Sequence, residues 1–278
     1  MSPKFPFPAR VHARTRHTLG ALAGMAVLGH AAAQSGPERQ PPPATAGASS
    51  STQWSLGLAA NVRQLPYRGA DNKTRALPVL YVENAWLRVA GPNADLKLGT
   101  WQLGPAHTLS FTGRVRYALD GYKAGDAPVL QGMDKRKDGL WGGGAVDWNT
   151  PFARLSADWT ADLSGNSKGQ MLQLQLDRRF GFGQLSLTPR LQARWLDKKY
   201  VDYYYGVRAA EARPDRPAYS GESAMLLQAG LRLDYALQPR HAVFLDLSTT
   251  RLPDEIRNSP LVGRSSLSSA TVGYLYRF

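Results

Sequence analysis

The chain lacks cysteine altogether, with none among its 278 residues. This absence excludes disulfide bonds and cysteine-ligated metal sites. It also excludes a lipoprotein anchor, because that lipid is attached to a cysteine at the cleavage site. Continuous hydrophobic sequence is scarce too: the one long apolar run lies within residues 19–33. Since a helical span needs about 20 such residues, the sequence argues against a helical membrane protein.

The first 33 residues contain the three parts of a secretory signal peptide. Residues 19–28 form the apolar segment, and the three alanines that end at Ala33 are the small residues that signal peptidase requires. The basic region before them contains Lys4, Arg10, Arg14 and Arg16. We predict a signal peptide over 1–33, cleaved between Ala33 and Gln34. An uncleaved membrane anchor is the alternative, but the short apolar segment favours cleavage.

Residues 34–53 are rich in Pro, Ala, Ser and Gly and contain almost nothing that a core could bury. This composition predicts a flexible arm, which would lie in the periplasm. After the arm, the sequence changes to a regular alternation of apolar and polar residues. We assign residues 54–278 to one folded unit.

Apolar and polar residues alternate with a period of two throughout this unit. In the clearest segment, 185–195, Leu185 and Leu187 fall on one face of a strand, and Ser186 and Arg190 fall on the other. A soluble β-sandwich would alternate too, but its strands typically run about 5–6 residues. These segments run about 10–13 residues, and a tilted strand needs about 9–11 to cross a bilayer. The pattern therefore predicts an all-β fold, a transmembrane antiparallel β-barrel.

Aromatic residues gather near the segment ends, as the interfacial girdles of outer-membrane barrels require. An open sheet edge would leave backbone groups unpaired in lipid, so the sheet must close. We assign to the girdles Trp54, Trp101, Tyr117, Trp141, Trp148, Trp195 and Tyr235.

The alternating segments number about twelve, an even number that places both termini on the periplasmic side. In such a barrel, the even-numbered connections between strands should be short periplasmic turns, and the odd-numbered ones can be long external loops. The connection lengths agree with this rule. The short turns 149–151, 181–183 and 238–240 are even-numbered, and the long loops 120–138, 197–223 and 252–266 are odd-numbered. Ten strands remain the alternative, because the segments within 85–101 are short. The predicted strands are 54–63, 75–83, 85–91, 94–101, 107–119, 139–148, 152–163, 168–180, 184–196, 224–237, 241–251 and 267–278.

The last predicted strand ends on an aromatic residue, Phe278, preceded at intervals of two by Tyr276 and Tyr274. This ending resembles the sorting signal that the barrel-assembly machinery reads. We therefore expect that machinery to be a partner, and a bacterial outer membrane to be the location. A chain that merely ends in a strand is the alternative.

Basic residues outnumber acidic ones, and the formal net charge is +13. They are scattered singly along alternating segments, so nucleic acid is not an expected partner. Outer-membrane lipid and lipopolysaccharide are expected partners, and Lys135-Arg136-Lys137 could bind lipopolysaccharide phosphates or form a solvated loop. On the polar strand faces we assign to the barrel lumen Arg114, Arg116, Arg190, Arg194 and Arg232. These charges support a small-solute channel with anion preference.

Little in the chain points to catalysis. His107 and His241 each begin a predicted strand just after a periplasmic turn, the wrong end for catalysis at the external rim. No metal-ligand spacing appears, and we expect neither an enzyme nor a cofactor. Tyr203-Tyr204-Tyr205 could stack on a sugar, or could be an aromatic patch at the external interface.

Three motifs together resemble the MipA/OmpV family of outer-membrane proteins. They are Pro66–Asp71 followed by Leu77–Tyr81, Tyr204–Val207 followed by Tyr219 and Gly221, and Asn258–Val262 followed by Gly273–Phe278. The resemblance implies a scaffold that joins a murein lytic transglycosylase to a bifunctional murein synthase. It transfers no binding residue to this chain.

A periplasmic partner would have to contact short turns or the arm 34–53. We therefore name Pro239, Arg240 and His241 as the candidate contact. The leading functional hypothesis is a non-enzymatic scaffold for murein-remodelling enzymes, and the alternative is a small-solute channel.

Overall fold

A computed structural model describes residues 52–278. The predicted signal peptide, its cleavage site between Ala33 and Gln34, and all but the last two residues of the arm lie outside this range. Within it, no helix has the length and apolar character needed to cross a membrane.

Thirteen strand segments form a single antiparallel sheet. They are β1 (Gln53–Arg63), β2 (Lys73–Glu83), β3 (Leu87–Ala90), β4 (Asn93–Gly104), β5 (His107–Ala118), β6 (Gly139–Asn149), β7 (Arg154–Asp162), β8 (Gln170–Asp177), β9 (Phe180–Phe182), β10 (Leu185–Leu196), β11 (Ala224–Gln238), β12 (His241–Arg251) and β13 (Ser266–Arg277). β8 and β9 both pair with β10, so they are two parts of one barrel strand interrupted at residues 178–179. β13 pairs with β1 and closes the sheet. The barrel therefore has twelve strands, as the sequence predicts.

The period-two pattern sets which side chains face the interior. In β10, Ser186, Arg190 and Gln192 are buried inside the barrel, whereas Leu191 between them is 61% exposed on the outer surface. An apolar outer band around a polar interior is the arrangement that lipid requires. Trp141 contradicts our girdle assignment: it is fully buried and faces inward, because it shares the odd-numbered face of β6 with Gly139 and Ala145.

The two ends of the barrel differ strongly. At one end, which we call the turn end, the strands are joined by connections of two to four residues: 84–86, 105–106, 150–153, 183–184 and 239–240. At the other, the loop end, the long connections 119–138, 197–223 and 252–265 contain helices α1 (Lys198–Tyr205) and α2 (Asp254–Arg257) and three 3₁₀ turns. The predicted alternation of short turns and long loops is confirmed, but the sequence did not predict the helices.

The barrel wall is incomplete beside β2. β3 has four residues rather than the seven predicted over 85–91, and the Gly91–Pro92 turn that follows it, with Gly91 at φ +55°, lies partway up the wall. β3 pairs only with Tyr81–Glu83 of β2, and the last bond on this side runs from Gly91 N–H to Leu80 O. Among the described residues, no strand pairs with Lys73–Val79 on this side.

Strand geometry shows which backbone groups this gap leaves unpaired. In an antiparallel strand, the N–H and C=O of one residue point to the same side, and alternate residues share a side. Because Leu80 O points toward β3, the N–H and C=O of Ala76 and Thr74 point into the gap. Pro78 also lies on this open edge, where its missing N–H removes no ladder bond.

The open edge can be tested with proline in two alanines that lie directly opposite each other, Ala60 of β1 and Ala76 of β2. Ala60→Pro should remove a hydrogen bond to β13 and destabilise the barrel by about 1–3 kcal/mol. Ala76→Pro should lower the free energy of unfolding much less, because no strand accepts the Ala76 N–H that the substitution removes. Urea unfolding in detergent, followed by the gel mobility of unheated barrel, would measure both. Equal losses for the two variants would contradict an open edge.

Candidate functional site

The barrel interior holds all five arginines that the sequence assigns to the lumen. Arg116, Arg190 and Arg232 are buried, and Arg114 and Arg194 are partly buried on the same inward face. What decides their function is whether their charges are free or paired.

Three of the five are neutralised by aspartates. Arg190 donates two hydrogen bonds to Asp246, at 2.7 and 2.8 Å, and both side chains are almost fully buried. Gly230 leaves room for this contact, since a Cβ there would lie 2.7 Å from the Arg190 guanidinium carbon. Arg232 pairs with Asp234 of its own strand at 2.9 Å.

Arg114 is the third, and it belongs to a larger network. It donates to both carboxylate oxygens of Asp95, at 2.8 and 3.0 Å, and Asp95 also accepts a bond from Arg88 at 2.8 Å. Asp158 lies 3.6 Å from Arg114 on the other side. The charges of two arginines and two aspartates thus cancel within one cross-section of the barrel.

Arg116 and Arg194 have no carboxylate ion-pair partner among the described residues. Arg116 contacts the Met171 sulfur at 3.7 Å, and its Nε is buried without a hydrogen-bond partner. Arg194 donates to the Gln173 side-chain oxygen at 3.1 Å. An unpaired buried guanidinium is costly, so this part of the interior carries the unbalanced positive charge.

The three long loops fold into a compact cap over the loop end of the barrel. We call residues 119–138, 197–223 and 252–265 the cap. Two clusters of buried apolar side chains form its core; the members include Leu130, Val201, Ile256 and Leu261, each with no measurable exposure. The apolar residues within these long loops are the sequence signal for this second core.

Helix α1 attaches the cap to the barrel interior. Asp197 caps the helix by accepting the Tyr200 N–H at 2.9 Å. On the buried side, the Tyr200 ring packs against Trp141 of the wall, with centroids 5.6 Å apart, and its hydroxyl donates to Asp120 at 2.8 Å. Tyr204 is buried beside it. Of the predicted Tyr203–Tyr205 motif, Tyr204 therefore belongs to the core of the cap and is not part of an external aromatic patch.

A buried ion pair joins two of the cap loops. Arg136 donates to both oxygens of Glu211, at 2.9 and 2.8 Å, and the two side chains are 1% and 5% exposed. Arg136 thus cannot bind lipopolysaccharide phosphates together with its exposed neighbours Lys135 and Lys137, and the predicted basic triplet is wrong in this respect. Arg216 reinforces the junction by donating to the Glu211 carbonyl at 2.7 Å.

The environment of Glu211 shifts its protonation. Burial alone would raise the pKa of this carboxyl, but the bonds from Arg136 and from the N–H groups of Arg208 and Asp134 lower the pKa to about 2. The carboxylate therefore stays charged, and keeps the two loops joined, well below its ordinary pKa of 4.5.

At the turn end, the candidate contact residues are only partly available. Pro239 and Arg240 are exposed, and the Arg240 carbonyl accepts the Arg277 N–H at 2.8 Å. His241 is partly buried, and its Nδ1 lies 2.5 Å from the Tyr274 hydroxyl. His107, at the start of β5, packs near Trp148 with centroids 6.1 Å apart. Within residues 52–278, no group of His, Asp and Glu side chains could hold a metal ion.

The three aromatic residues of the predicted assembly signal lie on the outward face of β13. Phe278 is 69% exposed, and its N–H donates to Trp54 O at 3.1 Å. Its ring packs against the rings of Trp54 and Tyr276, with centroids 5.7 and 4.9 Å away. The residues that would be read during assembly therefore also lie at the seam between the first and last strands.

The cap junction yields one prediction. Arg136→Ala leaves the Glu211 carboxylate buried without its ion-pair partner, held only by the N–H groups of Asp134 and Arg208, and should destabilise the cap by about 3–5 kcal/mol. The matched control is Arg208→Ala, which breaks an exposed pair with Asp134 and should cost about 0–1 kcal/mol. Limited trypsin digestion of the loops in detergent would compare them, with unheated gel mobility reporting the barrel. Equal protease sensitivity in both variants would contradict a cap held by this pair.

A second prediction follows from the lowered pKa of Glu211. A carboxyl whose folded pKa lies below 4.5 contributes stability above that pH and loses it as the pH falls through about 2. Pepsin digestion between pH 4.5 and 2 should therefore cut the cap loops increasingly toward the acid end. Glu211→Gln, which cannot titrate, should show a flatter pH dependence; an unchanged profile would refute this linkage.

The chain is similar to known outer-membrane proteins. The family described as "MltA-interacting protein MipA" matches residues 56–278. YiaT of Escherichia coli K12, named as an outer membrane protein, is 27% identical over 82% of this chain and 92% of its own. The MltA-interacting protein of the same organism is 26% identical over 81% and 90%. The solved NanC porin overlaps 80% of this chain and all of its own, with a TM-score of 0.43 and 9% identity.

The match covers most of the chain and every strand of the closed barrel except the first three residues of β1. Neither the family nor these relatives carries an enzymatic name. This chain is an outer-membrane β-barrel that belongs to the family described as "MltA-interacting protein MipA".

Proposed function

We propose that the protein is a non-enzymatic outer-membrane scaffold for murein-remodelling enzymes such as a lytic transglycosylase. The observation that carries the proposal is the family match over residues 56–278, together with a relative whose name records interaction with MltA. A murein synthase would be a second partner of the same scaffold.

The interior of the barrel supports this proposal over transport. Paired charges such as Arg190–Asp246 and Arg114–Asp95 occupy the middle of the lumen, and the cap covers its loop end. A barrel of this size can be filled by its own side chains. A cavity of about 620 Å³ remains beside Arg63, Gly230 and Ser248, but ion pairs cross the lumen and the cap lies over one end. This arrangement favours a function at the ends of the barrel over a pore.

The proposal requires an orientation, with the cap outside the cell and both termini in the periplasm. Outer-membrane barrels generally have short periplasmic turns and long external loops, and the two ends of this barrel differ in that way. The periplasmic contact would then consist of Pro239, Arg240 and His241, together with the arm 34–53, which precedes β1 in the sequence. Lipopolysaccharide and the barrel-assembly machinery would be the membrane and biogenesis partners.

The test is site-specific photo-crosslinking in living cells. A photoreactive residue at Pro239, and another within the arm, should capture a murein hydrolase or synthase that mass spectrometry identifies. The control is the same residue at Lys168, which is exposed at the loop end and should capture neither. Capture of the assembly machinery and lipid alone at Pro239 and the arm would count against the scaffold.

A small-solute channel is the second candidate, and the unbalanced charge of Arg116 and Arg194 favours it. An open anion channel should give steady, anion-selective conductance in planar bilayers. We expect the intact protein to show none, because the cap closes the loop end. Transient conductance confined to Arg136→Ala would identify the cap as the barrier, whereas steady conductance of the intact protein would favour the channel.

A further inference from the structure

The gap in the wall beside β2 has a chemical character that matches a lipid. We call it the notch. Thr74–Val79 of β2 form one side of the notch, and the end of β5 at Ala118 forms the other. The Gly91–Pro92 turn bounds it toward the turn end of the barrel. Several contacts close its loop-end side. Lys73 lies 3.6 Å from Asp126, Arg63 donates to Leu119 O at 3.1 Å, and the Tyr67 and Tyr122 rings pack with centroids 4.9 Å apart.

The backbone of the notch needs polar partners that the described chain does not supply. The N–H and C=O groups of Thr74 and Ala76, and the C=O of Pro78, point into it. Each unsatisfied group costs several kcal/mol in hydrocarbon. Either water or the polar part of a membrane lipid must therefore reach this edge.

The inward side chains of β2 change from charged to apolar along the notch. Lys73 and Arg75 lie nearest the loop end, and the Arg75 Nη1 is buried with no hydrogen-bond partner among residues 52–278. Leu77 and Val79 follow toward mid-height, where they pack with an apolar cluster that includes Phe244. This cluster is unusual, because most of the barrel interior is polar.

The order of these side chains is that of a lipid in the leaflet on the loop-end side: a charged head near the surface and an apolar chain below it. Guanidinium and ammonium groups select phosphate oxygens. The small outward residues Ala76 and Pro78 leave the edge open toward the bilayer.

We propose that the notch binds a phosphate-bearing membrane lipid, with its head group against Arg75, beside the Lys73–Asp126 pair, and one acyl chain entering beside Val79. The site is independent of the scaffold proposal, since it depends only on the barrel lying in a membrane. It would give the barrel a specific lipid contact through its wall, separate from the general lipid belt.

The absence of cysteine allows a direct test. A single-cysteine variant, Val79→Cys, is labelled with a nitroxide and reconstituted in vesicles that contain phosphatidylglycerol or phosphatidylcholine spin-labelled in one acyl chain. Although residue 79 faces inward, its label should show close contact with the labelled chain of phosphatidylglycerol, about fivefold or more above phosphatidylcholine. Unheated gel mobility confirms that each variant is folded.

Two further variants make the test specific. Gln228→Cys places the label on the inward face of β11, which is paired on both sides, and should show no lipid contact. Adding Arg75→Gln to Val79→Cys should remove most of the preference for phosphatidylglycerol. No lipid contact at residue 79, equal contact at residue 228, or a preference unaffected by Arg75→Gln would each overturn the proposal.

Discussion

The structure depends on one constraint: within a bilayer, every backbone N–H and C=O must find a partner inside the protein. The pairing of β13 with β1 satisfies it for the sheet as a whole, and the N–H of Phe278 extends that pairing to the last residue of the chain. The same constraint gives the notch its significance, because the edge of β2 is where the wall does not satisfy it.

Closing the sheet creates a second problem, since the polar faces of twelve strands then enclose their own charges. The barrel solves most of it with aspartates in register with arginines, as in Arg190–Asp246, which joins strands β10 and β12 across β11. The pairs lie within the lumen and neutralise much of its charge. Charged inward faces therefore do not by themselves indicate a channel.

Properties of single strands could be predicted from the sequence, because the alternation of side chains is local. The strand number, the connection lengths and the inward position of the five arginines all follow from it. Trp141 departs from the girdle prediction because its position on the odd-numbered face of β6, and not its place near a strand end, decides which way it points. The Arg136–Glu211 pair and the length of β3 depend on loop packing and on register between strands, which no local pattern reports.

The cap has a consequence for the order of assembly. The isolated bridge between Tyr67 and Val262 joins residues from opposite ends of the folded chain, and Leu261 packs in the same cluster as Leu130. Contacts between residues so distant in sequence carry a large loop-closure cost until other structure brings them together. Closure of β13 on β1 provides that proximity, so we expect the loops to pack into the cap only after the barrel has closed. A folded cap therefore requires that β13 has already paired with β1.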